Sequence, residues 1–380
     1  MYYKQDWHKA KERLLAFWEG EIIDRCCVAV HALRKSSKMS TPFPEQQWGP
    51  WLGGLEKFAD DDRDSIKAWW VDPEENYKRM ITWFENTYFG GEAIPCTYVN
   101  WGAMALAALY GSPAQFTKTS VWYPAVIEDW DSWEWTFDPQ TNEYWQQILA
   151  IVNHFLENNN ESYCVGTPEL GNGGDLLSLM RGMDTLSLDL LDHPEAVKNG
   201  IEVLSDTWVK LMEHVYNMTS AANDQGDVLA WMGLWAPGRI DQIACDFSSV
   251  ISAPMFNEFF VPEIEKMGNW CDYGMYHLDG PACMKNMLDT LLGVEQIRAI
   301  EWTPGAGSPP TYSEQYIPKY QKIQESGRRL YLLAQPQEIE GLLAELSPEG
   351  LYLRTDVETE DEANRLLKKV EQWSTAKHRM

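Results

Sequence analysis

The chain alternates between two kinds of segment, and that alternation limits its fold more than any other feature. Eight apolar runs of strand length, Cys26–Leu33, Ile94–Trp101, Tyr163–Leu170, Val228–Trp235, Tyr273–Asp279, Ile297–Thr303, Leu330–Gln335 and Leu351–Asp356, are separated by stretches of helical period. Most are rich in Val, Ile, Leu, Tyr or Cys and lack clean polar alternation, as strands covered on both faces do. Strand followed by helix, repeated eight times, predicts a (β/α)₈ TIM barrel, because parallel neighbours need crossovers of this length. A doubly wound open sheet is the competitor, but no Gly-x-Gly-x-x-Gly sits between the first run and a helix.

Helix starts are legible. Asp72-Pro73-Glu74-Glu75 supplies an N-cap acceptor, a proline at the first helical position and acids in the first turn. Thr359-Glu360-Asp361-Glu362 reads as a capping box, followed by an apolar stripe of Ala363, Leu366, Leu367, Val370 and Trp373. Further helices are expected over Pro139–Leu156, Pro194–Tyr216, Pro254–Trp270, Ala282–Leu292 and Tyr312–Ser326, and another from near Asp175, whose simplest role is the cap. Residues 1–380 read as one domain. Within it, 35–71 holds Pro42, Pro44, Pro50 and four Trp, and is expected to be a loop excursion over the barrel mouth.

Charge narrows the partners. With Lys+Arg 31 against Asp+Glu 57 the net charge is −26, and no Lys/Arg cluster stands out against it. Nucleic acid and anionic membrane surfaces are therefore disfavoured, and a small-molecule substrate is the expected ligand. The longest uninterrupted apolar stretch, Ala103–Tyr110, is far short of the roughly 20 residues a spanning helix needs. The polar start Met1-Tyr2-Tyr3-Lys4-Gln5-Asp6 lacks a secretory pattern, so a cytoplasmic location is expected. Seven Cys without a Cys-x-x-Cys pair suggest neither a disulfide framework nor a thiolate zinc knuckle, and adjacent Cys26 and Cys27 read as reduced core residues.

Barrel chemistry belongs to the carboxyl ends of strands. The polar and aromatic residues closing the runs are His31, Asn100 with Trp101, Thr167 with Glu169, Trp235 with Arg239, His277 with Asp279, Glu301 with Trp302, Gln335, and Arg354 with Asp356. His277-Leu278-Asp279 is the sharpest of these, since residues two apart on a strand project to one side. The pair can ligate a metal, can act as a carboxylate-oriented general base, or can be a satisfied structural hydrogen bond. Glu301, closing the next run, can add an oxygen ligand, transfer a proton, or form a buried salt bridge with Arg298 or Arg354. Gly305 and Gly307, and likewise Gly171, Gly173 and Gly174, sit in loops after strands; a plain turn is the simpler reading of each. With 19 Trp in 380 residues, an indole-lined mouth is expected, with Trp48, Trp51, Trp101, Trp122, Trp235 and Trp302 as its candidates. There is no Gly-x-Ser-x-Gly, no P-loop and no His-Glu-x-x-His. A glycosidase-like carboxylate pair, Glu169 with Glu301, is a remoter option.

Several stretches together resemble the uroporphyrinogen decarboxylase superfamily. They are Tyr98-Val99-Asn100-Trp101-Gly102-Ala103-Met104-Ala105, Arg181-Gly182 through Leu190-Leu191-Asp192-His193-Pro194-Glu195, Cys245-Asp246-Phe247 through Ser252-Ala253-Pro254-Met255-Phe256, Tyr276-His277-Leu278-Asp279-Gly280, and Ile300-Glu301-Trp302-Thr303-Pro304-Gly305-Ala306-Gly307. The resemblance implies a (β/α)₈ barrel, in agreement with the run count. It also implies one of two chemistries, tetrapyrrole decarboxylation or zinc-dependent methyl transfer with a corrinoid protein or thiol as partner.

Departures weigh on both. The Arg-Gln-x-Gly-Arg-Tyr segment that binds substrate carboxylates in the decarboxylases is replaced by Val30-His31-Ala32-Leu33-Arg34-Lys35, and the acidic chain suits a polycarboxylate poorly. Where the methyltransferase arm has zinc on His-x-Cys and a later Cys, this chain has His277-Leu278-Asp279 and no cysteine after Cys283. The leading expectation is a barrel enzyme, similar to the methyltransferase arm, that binds a small organic substrate over His277, Asp279 and Glu301 and moves a methyl group or a proton, with these three also the candidate metal ligands. Asn100, Trp101, Glu169, Trp235, Arg239, Asp246, Trp302 and Arg354 are its expected substrate-binding set. The alternatives are a metal-free decarboxylase or lyase in which Arg239 or Arg354 holds a carboxylate, and a non-catalytic barrel that binds a sugar or an aromatic compound.

Overall fold

The computed structural model describes residues 1–37 and 54–378. Its strands are β1 (Cys27–Leu33), β2 (Thr87–Gly91), β3 (Cys96–Thr97), β4 (Gln115–Phe116), β5 (Val121–Trp122), β6 (Cys164–Val165), β7 (Asp227–Leu229), β8 (Leu234–Ala236), β9 (Gln242–Ile243), β10 (Gly274–Asp279), β11 (Ile297–Thr303), β12 (Arg329–Leu333) and β13 (Leu351–Thr359). Seven form one sheet in the order β2-β1-β13-β12-β11-β10-β9. All neighbours in it are parallel except the edge pair β1 and β2. The architecture is α/β with a central parallel sheet, and helices supply the crossovers that parallel pairing requires.

The remaining strands extend this arrangement through short ladders. β3 pairs with β6 in parallel. Thr167 N, just past β6, donates to Val228 O in β7 at 3.2 Å, and Cys164 N donates to Pro95 O at 2.9 Å. Among the described residues, ladders do not run continuously from β9 through β7, β6 and β3 to β1.

Five of the expected runs fall on sheet strands almost residue for residue: β1, β10, β11, β12 and β13. Ile94–Trp101 and Tyr163–Leu170 pair over only two residues each, as β3 and β6. Val228–Trp235 requires correction, because it is a hairpin and not one parallel strand. Gly233 takes φ +62, a left-handed conformation that only glycine adopts at little cost, so the chain turns back and β8 pairs antiparallel with β7. The sheet position next to β10 is filled instead by two-residue β9, too short to leave a run in the sequence.

The helix grammar is realised locally. Asp72 accepts from Glu75 N at 2.9 Å at the head of Pro73–Asn86. Thr359 and Glu362 close the reciprocal box heading Glu360–His378, at 3.3 and 3.2 Å. The expected helix Pro254–Trp270 is two helices, Ala253–Phe259 and Val261–Trp270, because Pro262 lacks the N–H that would continue the first. Asp175 is not the cap of its own helix, Gly173–Arg181; its carboxylate accepts instead from Asp246 N and Phe247 N, at 3.0 and 2.8 Å. Of the 35–71 excursion, the described residues include a 3-10 turn, Leu55–Lys57, and a helix, Arg63–Val71, while 38–53, with Trp48 and Trp51, lies outside the described residues. All seven cysteines are buried and unbridged, and no described helix is long and apolar enough to cross a membrane.

Several buried acids, among them Asp227, Asp241 and Glu263, have pKa values raised by burial, and Asp227 gives a clear case of the pH dependence this implies. Asp227 is fully buried; its carboxylate accepts from Val228 N at 2.9 Å and Ile240 N at 3.4 Å, yet burial pushes its pKa up to about 7. The folded state therefore holds this proton above the pH at which an unfolded aspartate loses it, and stability falls as pH rises from about 4 through about 7. Every tenfold weakening of the acid on folding corresponds to about 1.4 kcal/mol at most. Asp227→Asn is expected to flatten the decline of melting temperature between pH 5 and 8; an unchanged slope refutes the assignment.

Candidate functional site

β10 and β11 run side by side with His277 opposite Glu301 and Asp279 opposite Thr303. Residues two apart share a face, so all four side chains point to one side of the sheet at its carboxyl end. Gly280, at φ +76, then turns the chain directly into the helix Gly280–Gly293. The face opens onto a cavity of ≈ 560 Å³ lined by His277, Asp279 and Thr303, by Tyr98 and Asn100 beyond β3, by Glu169 beyond β6, and by Trp231, Gln242 and Asp246. Trp70, from the excursion helix, and Gly305, from the loop after β11, complete the rim.

Glu301 stands behind the cavity and not in it. It is fully buried; Oε2 forms a close hydrogen bond with His277 Nδ1, and Thr303 Oγ1 donates to Oε1 at 2.7 Å. With Nδ1 engaged, Nε2 is the nitrogen left for a ligand. Burial works against a charge on His277, but the field and hydrogen bond of Glu301, helped by Asp246 and Asp279, outweigh it and raise its pKa to about 9. The Trp231 ring meets the imidazole edge-on, centroids 5.2 Å apart.

Asp246 arrives from the 3-10 turn Asp246–Val250, which the two backbone bonds to Asp175 hold in position. Burial, and then the neighbouring acids Asp279 and Glu301, push its pKa up, against the pull of His277. One donor atom from each of Asp246, His277 and Asp279 lies within 4.8 Å of the other two. One imidazole and two carboxylates, with open positions toward the cavity, fit a catalytic divalent cation of mixed nitrogen and oxygen preference. The carboxylate behind the imidazole is the customary partner of a metal-ligating histidine. This donor set does not fit a sulfur-rich zinc centre: the Cys283 thiol is hydrogen-bonded with Ser248 Oγ at 3.3 Å, and Cys245 is buried with its pKa driven well up by burial.

The opposite wall is a fixed carboxyl. Tyr98 OH donates to Glu169 Oε2 at 3.2 Å, Gln242 Nε2 donates to Oε1 at 3.3 Å, and Trp231 Nε1 in turn donates to Gln242 Oε1. Burial raises the Glu169 pKa to about 7, against the hydrogen bond from Tyr98 and the charge of His277.

Of the residues expected at the site, Asn100, Glu169, Asp246, His277 and Asp279 line the cavity, and Glu301 supports His277 from below. The others lie elsewhere. Trp101 is buried, its carbonyl accepting from Tyr123 OH at 2.6 Å, and Trp302 is buried against Tyr316. Trp235 packs edge-on against Trp7 and donates to Asn223 O at 2.8 Å. Trp122 sits in the β4–β5 hairpin with 59% of its surface exposed, outside the cavity lining. Arg239 pairs with Asp272 and Glu213 at 3.1 and 3.6 Å, away from the cavity. Arg354 donates to Trp231 O at 2.9 Å, bracing the hairpin turn rather than reaching the ligand space. Sequence reasoning missed Trp70, Tyr98, Trp231 and Gln242. Tyr98 had a usable signal in its strand parity with Asn100, and Trp231 in its parity with Trp235.

No known family profile matches the sequence, and no curated protein matches it significantly. Among solved structures, a methyltransferase from Methanosarcina mazei superposes over 96% of this chain and 98% of its own, with a TM-score of 0.59 and 13% identity. The apo form of the homocysteine methyltransferase MmuM from Escherichia coli aligns over 48% of this chain and 87% of its own, with a TM-score of 0.25 and 12% identity. The first of these likenesses is one of fold, and it extends along essentially the whole chain.

Proposed function

We propose that this chain is an enzyme that transfers a methyl group to or from a small organic molecule, built on the (β/α)₈ barrel of the uroporphyrinogen decarboxylase superfamily. The observation that carries the reading is the end-to-end fold likeness to the Methanosarcina mazei methyltransferase, combined with a cavity at the same strand ends that hold His277 and Asp279. A methyl group moves as the equivalent of CH₃⁺, so the donor keeps the electron pair of the broken bond and the acceptor's lone pair forms the new one. Asp246, His277 and Asp279 would hold a divalent cation, whose contribution when bound is Lewis acidity toward a donor or acceptor heteroatom.

The chain's own groups do the rest. Glu301, itself fixed by Thr303, keeps the imidazole ring in one orientation. Glu169 retains a proton near neutral pH on a carboxyl oxygen facing the cavity. Trp70 and Trp231 add indole surface to the lining of the ligand space. The lyase alternative loses support, because neither Arg239, paired with Asp272, nor Arg354, bonded to Trp231 O, lines the cavity where it would hold a carboxylate.

Two measurements test the proposal. Purified protein is expected to carry about one divalent cation per chain by elemental analysis, and His277→Ala to lose it. Incubation with methylcobalamin and a panel of small thiols is expected to demethylate the corrinoid, read from its visible spectrum, and unchanged spectra throughout would reject methyl transfer.

A further inference from the structure

A second hollow, of ≈ 640 Å³, lies between the helices Glu143–Glu157 and Pro194–Thr219 and shares no lining residue with the cavity over His277. The segment carrying Trp135 and Phe137 closes a further side. Burial alternates along it: Trp133, Trp135 and Phe137 are half-buried, while Glu134, Thr136 and Asp138 are exposed. Extended chain sends successive side chains opposite ways, so the aromatic side of this segment faces the protein and its acids face water. Trp135 rests on the backbone of the long helix at Gly200, where an added Cβ would come within 3.1 Å of its Cζ2.

Two further rings lining the hollow belong to buried residues. Tyr110 is fixed by a hydrogen bond between its hydroxyl and Thr207 Oγ1 at 2.6 Å, and it meets Trp135 edge-on with centroids 5.4 Å apart. Trp145, from the other helix, is buried with its ring 6.3 Å from that of His214. Four aromatic side chains therefore border one space of a size usual for small-molecule sites.

One charge in this space is unanswered. Lys210 and His214 stand one turn apart on Pro194–Thr219, and both line the hollow. The acids that the helix itself offers Lys210 are Asp206, four residues before, and Glu213, three after. Asp206 is paired with Lys266. Glu213 accepts from Trp270 Nε1 at 2.9 Å and Asn217 Nδ2 at 3.2 Å, and it pairs with Arg239 at 3.6 Å. Both acids are thus committed elsewhere, and Asp206, although it lines the hollow, brings its own counter-ion. The net charge of −26 repels anions from afar, but physiological salt screens exposed charges over about 8 Å, so inside the hollow the nearest ammonium sets the sign.

We infer that this hollow is a second ligand site, for a planar aromatic carboxylate whose ring lies among Tyr110, Trp135, Phe137 and Trp145 and whose carboxylate meets Lys210 beside His214. An uncharged ring would leave the ammonium without a partner, and an aliphatic acid would leave the aromatic walls unmatched. The site stands apart from the methyl-transfer reading and does not depend on it.

The test compares three molecules with one ring system by isothermal titration calorimetry on the full chain at pH 7.5: 2-naphthoate, the neutral 2-naphthalenemethanol, and the cation 2-naphthylmethylammonium. The acid is expected to bind at least about fivefold more tightly than the alcohol, with the cation weakest. Lys210→Met is expected to reduce the acid to the affinity of the alcohol and leave the alcohol unchanged, and Lys210→Glu to place the cation ahead of the acid. Trp135→Leu is expected to weaken acid and alcohol alike, by about fivefold or more. Absence of 2-naphthoate binding, an alcohol or cation that binds as tightly as the acid, or an acid affinity untouched by Lys210→Met would overturn the inference, as would indifference to Trp135→Leu in folded protein. Lys210 is exposed, so its two variants keep the test decisive even where Trp135→Leu fails to fold.

Discussion

Glu301→Gln is expected to weaken divalent-cation binding by about 10–100-fold at pH 9, the range typical when the carboxylate behind a metal-ligating histidine is lost. The substitution keeps the shape of a fully buried side chain, so the change is electrostatic. In the native protein the carboxylate opposes the desolvation of His277 and, with Asp246 and Asp279, lifts its pKa to about 9. An amide can still accept from Nδ1 but contributes no charge, so the pKa falls toward the ordinary imidazole range. Since a cation must displace the proton, native affinity rises with pH up to about 9, whereas the variant's levels off near neutrality. The gap between the two is therefore widest at pH 9 and narrows below it. Competition with a chromophoric chelator at several pH values reads both features. Equal affinities at pH 9 would exclude Glu301 as the support of a metal ligand. Thr303→Val, which frees only Oε1 of Glu301, is expected to act in the same direction but more weakly.

The pair His277 and Asp279 could be read directly from sequence, because strand parity alone puts residues two apart on one face and β10 is long enough for parity to apply. Glu301 was legible as a neighbour for the same reason, since β11 is continuous through it. Its role behind the imidazole depends on register across two strands, His277 opposite Glu301, and no single run encodes register. Asp246 was visible only through a resemblance: it lies in a 3-10 turn held by Asp175, a contact between residues 71 positions apart. The tryptophans were misjudged because position at a strand end does not distinguish an indole turned into the core, such as Trp302 or Trp101, from one turned to the cavity. Trp231 reaches the cavity because Gly233 folds its run into a hairpin, and the periodicity of an apolar run is blind to that turn. Five long strands declared themselves by apolar content, whereas two-residue strands such as β9 are fixed by their neighbours and leave no mark of their own.

The fold also depends on an ion pair that no motif announced, and removing half of it is expected to cost about 3–5 kcal/mol. Arg25, just before β1, and Glu92, just after β2, are 5% and 0% exposed. They meet through two parallel hydrogen bonds, Nη1 to Oε2 at 2.6 Å and Nη2 to Oε1 at 2.8 Å. Glu92 Oε2 also accepts from Val28 N at 2.7 Å, and Arg25 Nη1 donates to Cys26 O at 2.7 Å, so the pair joins the start of β1 to the end of β2. Burial alone would lower the Arg25 pKa, but the field and hydrogen bonds of Glu92 reverse that. Glu92→Ala leaves a desolvated guanidinium without its counter-charge, keeping only its bond to Cys26 O, and removes the acceptor of the Val28 N–H, and the loss should appear as a large fall in unfolding free energy by chemical denaturation. Replacing both partners with apolar residues, Arg25→Met with Glu92→Leu, removes the stranded Arg25 charge, leaves Arg13, 3.5 Å from Glu92, to its other partner Asp24, and is expected to cost less than Glu92→Ala alone. The contrast separates two origins of stability. If the double variant is the weaker protein, the pair contributes net attraction beyond its desolvation cost; if Glu92→Ala costs under about 1 kcal/mol, water reaches the guanidinium and the site is not buried in solution.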